Sequence, residues 1–138
     1  METNKKTILI IEDEKAINKI IAHNLKINGF NVLSASNGEE GLKLFEKEKP
    51  DLILLDIMMP VMDGNTFCKE LRHRYPNDKT PIIIMTAKHD NTQVLESFKY
   101  GAVDFIDKPF TIDFLIDEIK KHLENKIDDT DFIDYHFF

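Results

Sequence analysis

Residues 8–13 read Ile-Leu-Ile-Ile-Glu-Asp, which is four large aliphatic side chains followed directly by two acidic ones. Three later segments, each rich in apolar residues, also end on a polar or charged side chain: 52–56 ends on an aspartate, 81–86 on a threonine and 103–108 on a lysine. Continuous apolar runs of this length are typical of parallel strands that are buried on both faces. We therefore predict a parallel sheet in which four strands lead into a polar or charged side chain.

Between these runs the apolar residues follow helical spacing. Ile17, Ile21 and Leu25 lie four residues apart, and Gly29 follows them as a helix-ending residue. The predicted fold class is α/β, a (βα)5 chain whose right-handed crossovers place helices on both faces of a doubly wound parallel five-stranded sheet. Thr111 is predicted to cap the last helix. The predicted strands are residues 7–11, 30–35, 52–55, 82–85 and 103–106.

Length and charge limit the kinds of protein this chain can be. Its 138 residues suit one domain, which we place at residues 1–125, and the acidic and aromatic residues 126–138 are expected to form a C-terminal tail or the start of a linker. A formal net charge of −7 argues against direct nucleic-acid binding by this domain. The single cysteine excludes an internal disulfide, and the five histidines show no metal-ligand spacing.

The N-terminal residues carry no apolar segment of the kind found in signal peptides. No stretch of the sequence is apolar for long enough to cross a bilayer. We therefore expect a cytoplasmic protein without a membrane partner.

The strand ends predict a site for phosphate chemistry. In open α/β sheets the ligand crevice lies at the carboxyl ends of the strands, so Glu12, Asp13 and Asp56 should converge there. Three carboxylates in one cleft repel one another, and Mg²⁺, which binds carboxylates and phosphate oxygens, is the cation that fits. Asp56 could then act as a nucleophile toward phosphorus, with Lys108 offsetting charge and the Thr86 hydroxyl binding a phosphoryl oxygen.

An acid pair, an aspartate, a threonine and a lysine thus stand at the ends of four separate strands. With these residues in this order, the chain resembles the CheY-like receiver domain of two-component response regulators. The resemblance covers roughly residues 5–125. The resemblance implies a flavodoxin-like sheet with strand order 2-1-3-4-5. It implies that Asp56 is the phosphoacceptor. It also implies a Mg²⁺ site formed by Glu12, Asp13, Asp56 and the backbone carbonyl of Met58.

The remaining site residues are carried over by the same resemblance. Thr86 matches the switch hydroxyl, with Ala87 beside it, and Lys108 matches the family's lysine. Pro109 follows Lys108 in what the family makes a cis peptide. Phe105 stands at the switch-aromatic position that is often a tyrosine.

The implied function is a signalling switch that is controlled by phosphorylation. The phosphoryl group would come from a sensor histidine kinase or a phosphotransfer protein, and the fourth helix, fifth strand and fifth helix would form the output face. Homodimerisation on phosphorylation is a further expectation. The domain would assist its own phosphotransfer and dephosphorylation without turning over an external substrate.

Three other interpretations are weighed against this one. A Mg²⁺-dependent phosphohydrolase would need a second acid near the nucleophile, and Met58 stands two residues after Asp56. A flavin-binding module would need a first loop rich in hydroxyls and glycine, whereas the acids at 12–14 repel phosphate. A docking module that works without phosphorylation would not need the phosphoacceptor aspartate or the metal-binding and phosphate-binding residues that this chain carries.

Overall fold

The computed structural model describes residues 5–87 and 91–124, and these residues form five strands and five helices that alternate along the chain. The (βα)5 prediction is thereby confirmed. The elements are β1 (Thr7–Ile11), α1 (Lys15–Ile27), β2 (Asn31–Ala35), α2 (Gly38–Glu48), β3 (Leu52–Asp56), α3 (Gly64–Arg74), β4 (Ile82–Thr86), α4 (Asn91–Lys99), β5 (Ala102–Asp107) and α5 (Ile112–Glu124).

The described strands pair in parallel, in the order β2-β1-β3-β4-β5. This confirms the flavodoxin-like order 2-1-3-4-5. The direction in which strands are added reverses between β1 and β3, so the carboxyl ends of these two neighbours form the topological switch point. A ligand site is therefore expected immediately beyond Ile11 and at Asp56.

Two apolar layers cover the sheet. Alternate residues of β1 enter the two layers, Ile10 on the side of α1 and α5, and Ile11 on the side of α2 and α3. Ile21 and Leu115 belong to the first layer, whereas Phe67 belongs to the second. Because both faces are covered, the central strands are continuously apolar instead of alternating with polar residues.

Three strands extend further at their carboxyl ends than predicted. β3 and β4 each extend one residue further than predicted, so Asp56 and Thr86 belong to strands. The reason is that the ladder continues through both positions, since Asp56 pairs with Met85 and Thr86 pairs with Asp107. The same pairing lengthens β5 at its carboxyl end. The site residues of β3 and β4 are thus held by the sheet and not by loops.

The conformation and hydrogen bonds at the helix ends show that one assignment was wrong and confirm two others. Phe30 was predicted in the second strand, but its N–H donates to the Leu25 carbonyl at 3.1 Å and so closes α1. Gly29, with φ +91°, makes this left-handed turn possible, as predicted. Thr111 caps α5 as predicted, because its Oγ1 accepts from the Phe114 N–H at 3.1 Å.

Among the helices in the described part of the chain, none combines the length and apolar character that a membrane span requires. The predicted boundary between the domain and residues 126–138 lies outside the described residues, and it stays a prediction.

Candidate functional site

Three acidic side chains meet where β1 and β3 end. Glu12 and Asp13 follow β1 directly, and Asp56 is the last residue of β3. One carboxylate oxygen from each lies within 4.8 Å of the other two. Glu12 and Asp56 are buried, whereas Asp13 is half-buried. We call these three residues the acidic edge; oxygen donors at this spacing suit a hard cation such as Mg²⁺.

Lys108 reaches the acidic edge from the segment that follows β5. Its backbone N–H donates to the Thr86 carbonyl at 2.8 Å, which ties this segment to the end of β4. Its ammonium forms an ion pair with Glu12 and lies 3.4 Å from Oδ2 of Asp56. The Lys108–Pro109 peptide bond is cis, as the resemblance implies. One largely buried cation therefore contacts two of the three carboxylates.

Burial and the neighbouring charges alter the protonation of this site. Burial is the main reason that the pKa of Glu12 is raised from 4.5 to about 7; the charge of Asp56 adds to the effect and the Lys108 hydrogen bond opposes it. Burial alone would lower the pKa of Lys108, but the hydrogen bond to Glu12 and the charge of Asp56 raise it overall. The excess negative charge favours a bound cation.

In the metal-free protein, we expect Glu12 to make stability decrease as the pH rises. A carboxyl whose pKa is raised on folding stabilises the folded state fully below its ordinary value of 4.5, and this contribution is lost as the pH rises through about 7. Thermal unfolding between mildly acidic and mildly alkaline pH, with a chelator present, should show a smaller decrease in Tm for Glu12→Gln than for the wild type.

Glu14→Gln is the matched control, because Glu14 is exposed and adjacent to the site. This variant should keep the wild-type dependence of Tm on pH. If Glu12→Gln and the wild type lose stability equally across this range, the assignment of the raised pKa to Glu12 is wrong.

Asp56 is also contacted by the loop that follows β3. The backbone N–H of Met58 donates to Oδ1 of Asp56 at 3.0 Å, while the Met58 side chain is 53% exposed. On the other side, Thr86 is buried one position beyond Met85, the ladder partner of Asp56. Ala87 follows at the surface. The position of Asp56 is thus set by β3, β4 and one backbone hydrogen bond.

Phe105 lies at the surface of β5 and not in the core. Its side chain is 36% exposed, whereas the next residue, Ile106, is buried. Val103, on the same strand, is also exposed. The structure therefore describes the aromatic side chain in an outward position.

An apolar groove beside Lys108 was not predicted from the sequence. It has a volume of about 380 Å³ and is lined by Ile17 and Ile20 of α1, together with Ala87, Lys108 and Pro109. The signal that could have identified it is Ile20, which is 56% exposed on a helix whose outer face would ordinarily be polar. The groove opens next to the acidic edge.

A family model, curated proteins and solved structures were each compared with this chain, and all three comparisons found matches. A family model described as "Response regulator receiver domain" matches residues 8–120. The "Probable transcriptional regulator ycf27" of Porphyra purpurea is 42% identical over 111 residues, 80% of this chain and 44% of that protein. The "Alkaline phosphatase synthesis transcriptional regulatory protein PhoP" of Bacillus subtilis (strain 168) is 44% identical over 108 residues, 78% of this chain and 44% of that protein.

The chain therefore spans less than half the length of these curated relatives. Among solved structures, the "response regulator receiver domain protein (CheY-like)" from Methanospirillum hungatei JF-1 is 30% identical, with a TM-score of 0.83. That match covers 88% of this chain and 95% of the other.

Proposed function

This chain belongs to the receiver domain family of two-component response regulators, and we propose that phosphorylation of Asp56 is the event that switches it. In the proposed reaction a carboxylate oxygen of Asp56 attacks the phosphorus of a phosphohistidine. The phosphorus–oxygen bond forms as the phosphorus–nitrogen bond breaks, and the histidine keeps the electron pair. The donor is a sensor histidine kinase or a phosphotransfer protein.

The observation that carries this proposal is the convergence of the acidic edge with Lys108. The Met58 N–H holds one oxygen of Asp56, and Lys108 lies 3.4 Å from the other, so the nucleophile is oriented before the phosphoryl group arrives. Mg²⁺ bound by the acidic edge and the Met58 carbonyl would offset negative charge on the transferring group. Lys108 would offset further negative charge, and the Thr86 hydroxyl would bind a phosphoryl oxygen.

The proposed output is a change in the face formed by α4, β5 and α5. Thr86 moves toward the phosphoryl group, and Phe105 rotates inward from its surface position. This is a shift between two populations of conformers, favoured by contacts to the phosphoryl oxygens. The face that changes carries the exposed apolar residues Leu95, Phe98, Val103, Phe105 and Phe114. The partner that binds this face is either a domain or protein that carries the output, or a second copy of the chain.

A phosphohydrolase that turns over an external substrate fits this site less well. Hydrolysis of an aspartyl phosphate is fast when a second acid lies near the nucleophile and activates water. The corresponding place is taken by Met58, whose side chain has no group that can transfer a proton. The arrangement instead supports an intermediate that persists as a signal.

Acetyl phosphate, a small phosphodonor, provides the test of this function. With Mg²⁺ present, intact-mass spectrometry should show the addition of one phosphoryl group to the full chain. Removal of divalent cations with a chelator should prevent the addition. Phosphorylation of equal extent with and without the chelator would reject the proposed metal-assisted reaction.

The lifetime of the phosphorylated state is expected to be minutes or longer, because Met58, two residues after Asp56, has no side-chain group that can orient a water molecule. Met58→Asn should shorten this lifetime by supplying an amide that holds the attacking water. The measurement is the decay of phosphorylated protein after the donor is removed. Lys88, two residues after Thr86, could shield the phosphoryl group or be a solvated loop lysine; it lies outside the described residues.

Val61→Asn is the control for this experiment. Val61 lies in the same loop, is 79% exposed and has φ +71°, a conformation that asparagine tolerates. It should leave the decay rate unchanged. Decay within seconds in the wild type, or no acceleration in Met58→Asn, would contradict the proposed role of Met58.

A further inference from the structure

A second cluster of metal-ligand side chains lies between β5 and α5. It consists of Asp104 on β5 with Glu118 and His122, which are one turn apart on α5. One ligand atom from each lies within 4.8 Å of the other two, and His122 Nε2 is 2.9 Å from Asp104 Oδ2. The side chains are 27%, 18% and 13% exposed, respectively, so they are mostly shielded from water.

The surrounding contacts leave these ligand atoms oriented toward one another. The second oxygen of Asp104, Oδ1, accepts a hydrogen bond from the Phe105 N–H at 2.8 Å, which fixes the carboxylate on the strand. Glu118 is in hydrogen-bond contact with Asp104, and this contact raises the pKa of Glu118. Lys121 lies 3.8 Å from Glu118 Oε1 and is itself well exposed. Two crowded carboxylates beside an imidazole are stabilised by a bound cation.

We propose that Asp104, Glu118 and His122 bind a divalent transition-metal ion, with Zn²⁺ as the best match. An imidazole nitrogen beside two carboxylate oxygens favours Zn²⁺ over Mg²⁺, which prefers oxygen ligands alone. Tetrahedral Zn²⁺ with bonds near 2.1 Å needs its ligand atoms about 3.4 Å apart, which this cluster reaches with small side-chain movements. Three protein ligands leave the fourth position for water or for a ligand from another molecule.

The site is separate from the acidic edge in both residues and chemistry. None of its three residues lies at the carboxyl end of β1, β3 or β4, since Asp104 belongs to β5 and the other two to α5. The proposed site does not depend on phosphorylation of Asp56. Bound Zn²⁺ would join a strand to a helix and so restrain α5 against β5. Because Val103, Phe105 and Phe114 are exposed on these same elements, metal binding would restrict the conformations of the proposed output face.

The test is calorimetric titration of the full chain with ZnCl₂ in excess Mg²⁺, which keeps the acidic edge occupied. One Zn²⁺ ion is expected to bind. Since loss of an outer-shell partner already costs about tenfold in metal affinity, loss of a direct ligand in His122→Ala or Asp104→Asn should cost at least that much. Asp104→Asn keeps the shape of the side chain, and thermal unfolding without metal checks that each variant folds.

Two histidine controls and one acidic-edge variant complete the design. His23→Ala, which changes an exposed residue of α1, and His136→Ala should bind Zn²⁺ like the wild type. In NMR spectra of the wild type, the His122 imidazole signals should shift on titration. The proposal is overturned if the wild type binds no Zn²⁺, if both ligand variants retain its affinity, or if either control loses it. It is also overturned if Asp56→Asn abolishes Zn²⁺ binding, an outcome that would leave the proposed function of Asp56 untouched.

Discussion

Asp56→Asn is expected to eliminate phosphoryl incorporation from acetyl phosphate, even at saturating Mg²⁺. Asparagine has nearly the same shape as aspartate, but its amide lacks the negatively charged oxygen that attacks phosphorus. It can still accept the Met58 N–H bond, so the loop that follows β3 should keep its conformation. Intact-mass spectrometry under the conditions used for the wild type measures the effect.

Asp63→Asn is the matched control for this substitution. Asp63 caps α3 by accepting a hydrogen bond from the Thr66 N–H at 2.8 Å, a role that asparagine fills equally well. This variant should be phosphorylated like the wild type. Undiminished labelling of Asp56→Asn would show that the phosphoacceptor is another residue and would reject the central proposal.

Asp13→Ala is expected to weaken Mg²⁺ binding by at least about tenfold, because it removes a carboxylate that we propose contacts the ion directly. Glu12→Ala should have a smaller effect, since its two oxygens already accept from Lys108 and from the Glu14 N–H. Calorimetric titration with MgCl₂ provides both affinities. The metal-free Asp13→Ala protein should also unfold at a higher temperature than the wild type, because like charges no longer repel.

Glu14→Ala separates direct binding from a general loss of negative charge. Its side chain is exposed and makes no capping hydrogen bond to α1, so the substitution removes one charge without a proposed ligand. Its Mg²⁺ affinity should remain close to that of the wild type. Equal losses of affinity in Glu14→Ala and Asp13→Ala would mean that only overall charge matters, and unchanged affinity in Asp13→Ala would place the ion elsewhere.

The polar residues at the strand ends were predictable because the change from apolar to polar residues is visible within a few positions of the sequence. A buried parallel strand must be apolar at every position, so the first charged or hydroxyl side chain after the run marks its end. This is how Glu12, Asp56 and Thr86 were identified. The error of one residue at Asp56 and Thr86 arose because strand length depends on the partner strand, and the pairing continues through these polar positions.

Other features depend on contacts between residues that are distant in the sequence. His122 shows no metal-ligand spacing along the chain, yet it lies 2.9 Å from Asp104, 18 positions earlier, because α5 packs beside β5. The groove at Ile20 likewise exists only where α1 meets the segment that follows β5. Periodicity reports which face of an element is apolar, but not which neighbour will cover it.

Apolar runs and helical spacing, each a pattern over a few residues, are enough to predict the alternation of strands and helices. The same patterns predict which acids, which hydroxyl and which lysine lie at the strand ends. Their interactions follow only from the folded arrangement: Lys108 contacts Glu12 and Asp56, and the pKa of Glu12 rises to about 7. The surface position of Phe105 is likewise a result of folding. The physical reason is that burial and side-chain distance are set by packing between elements, which no local pattern encodes.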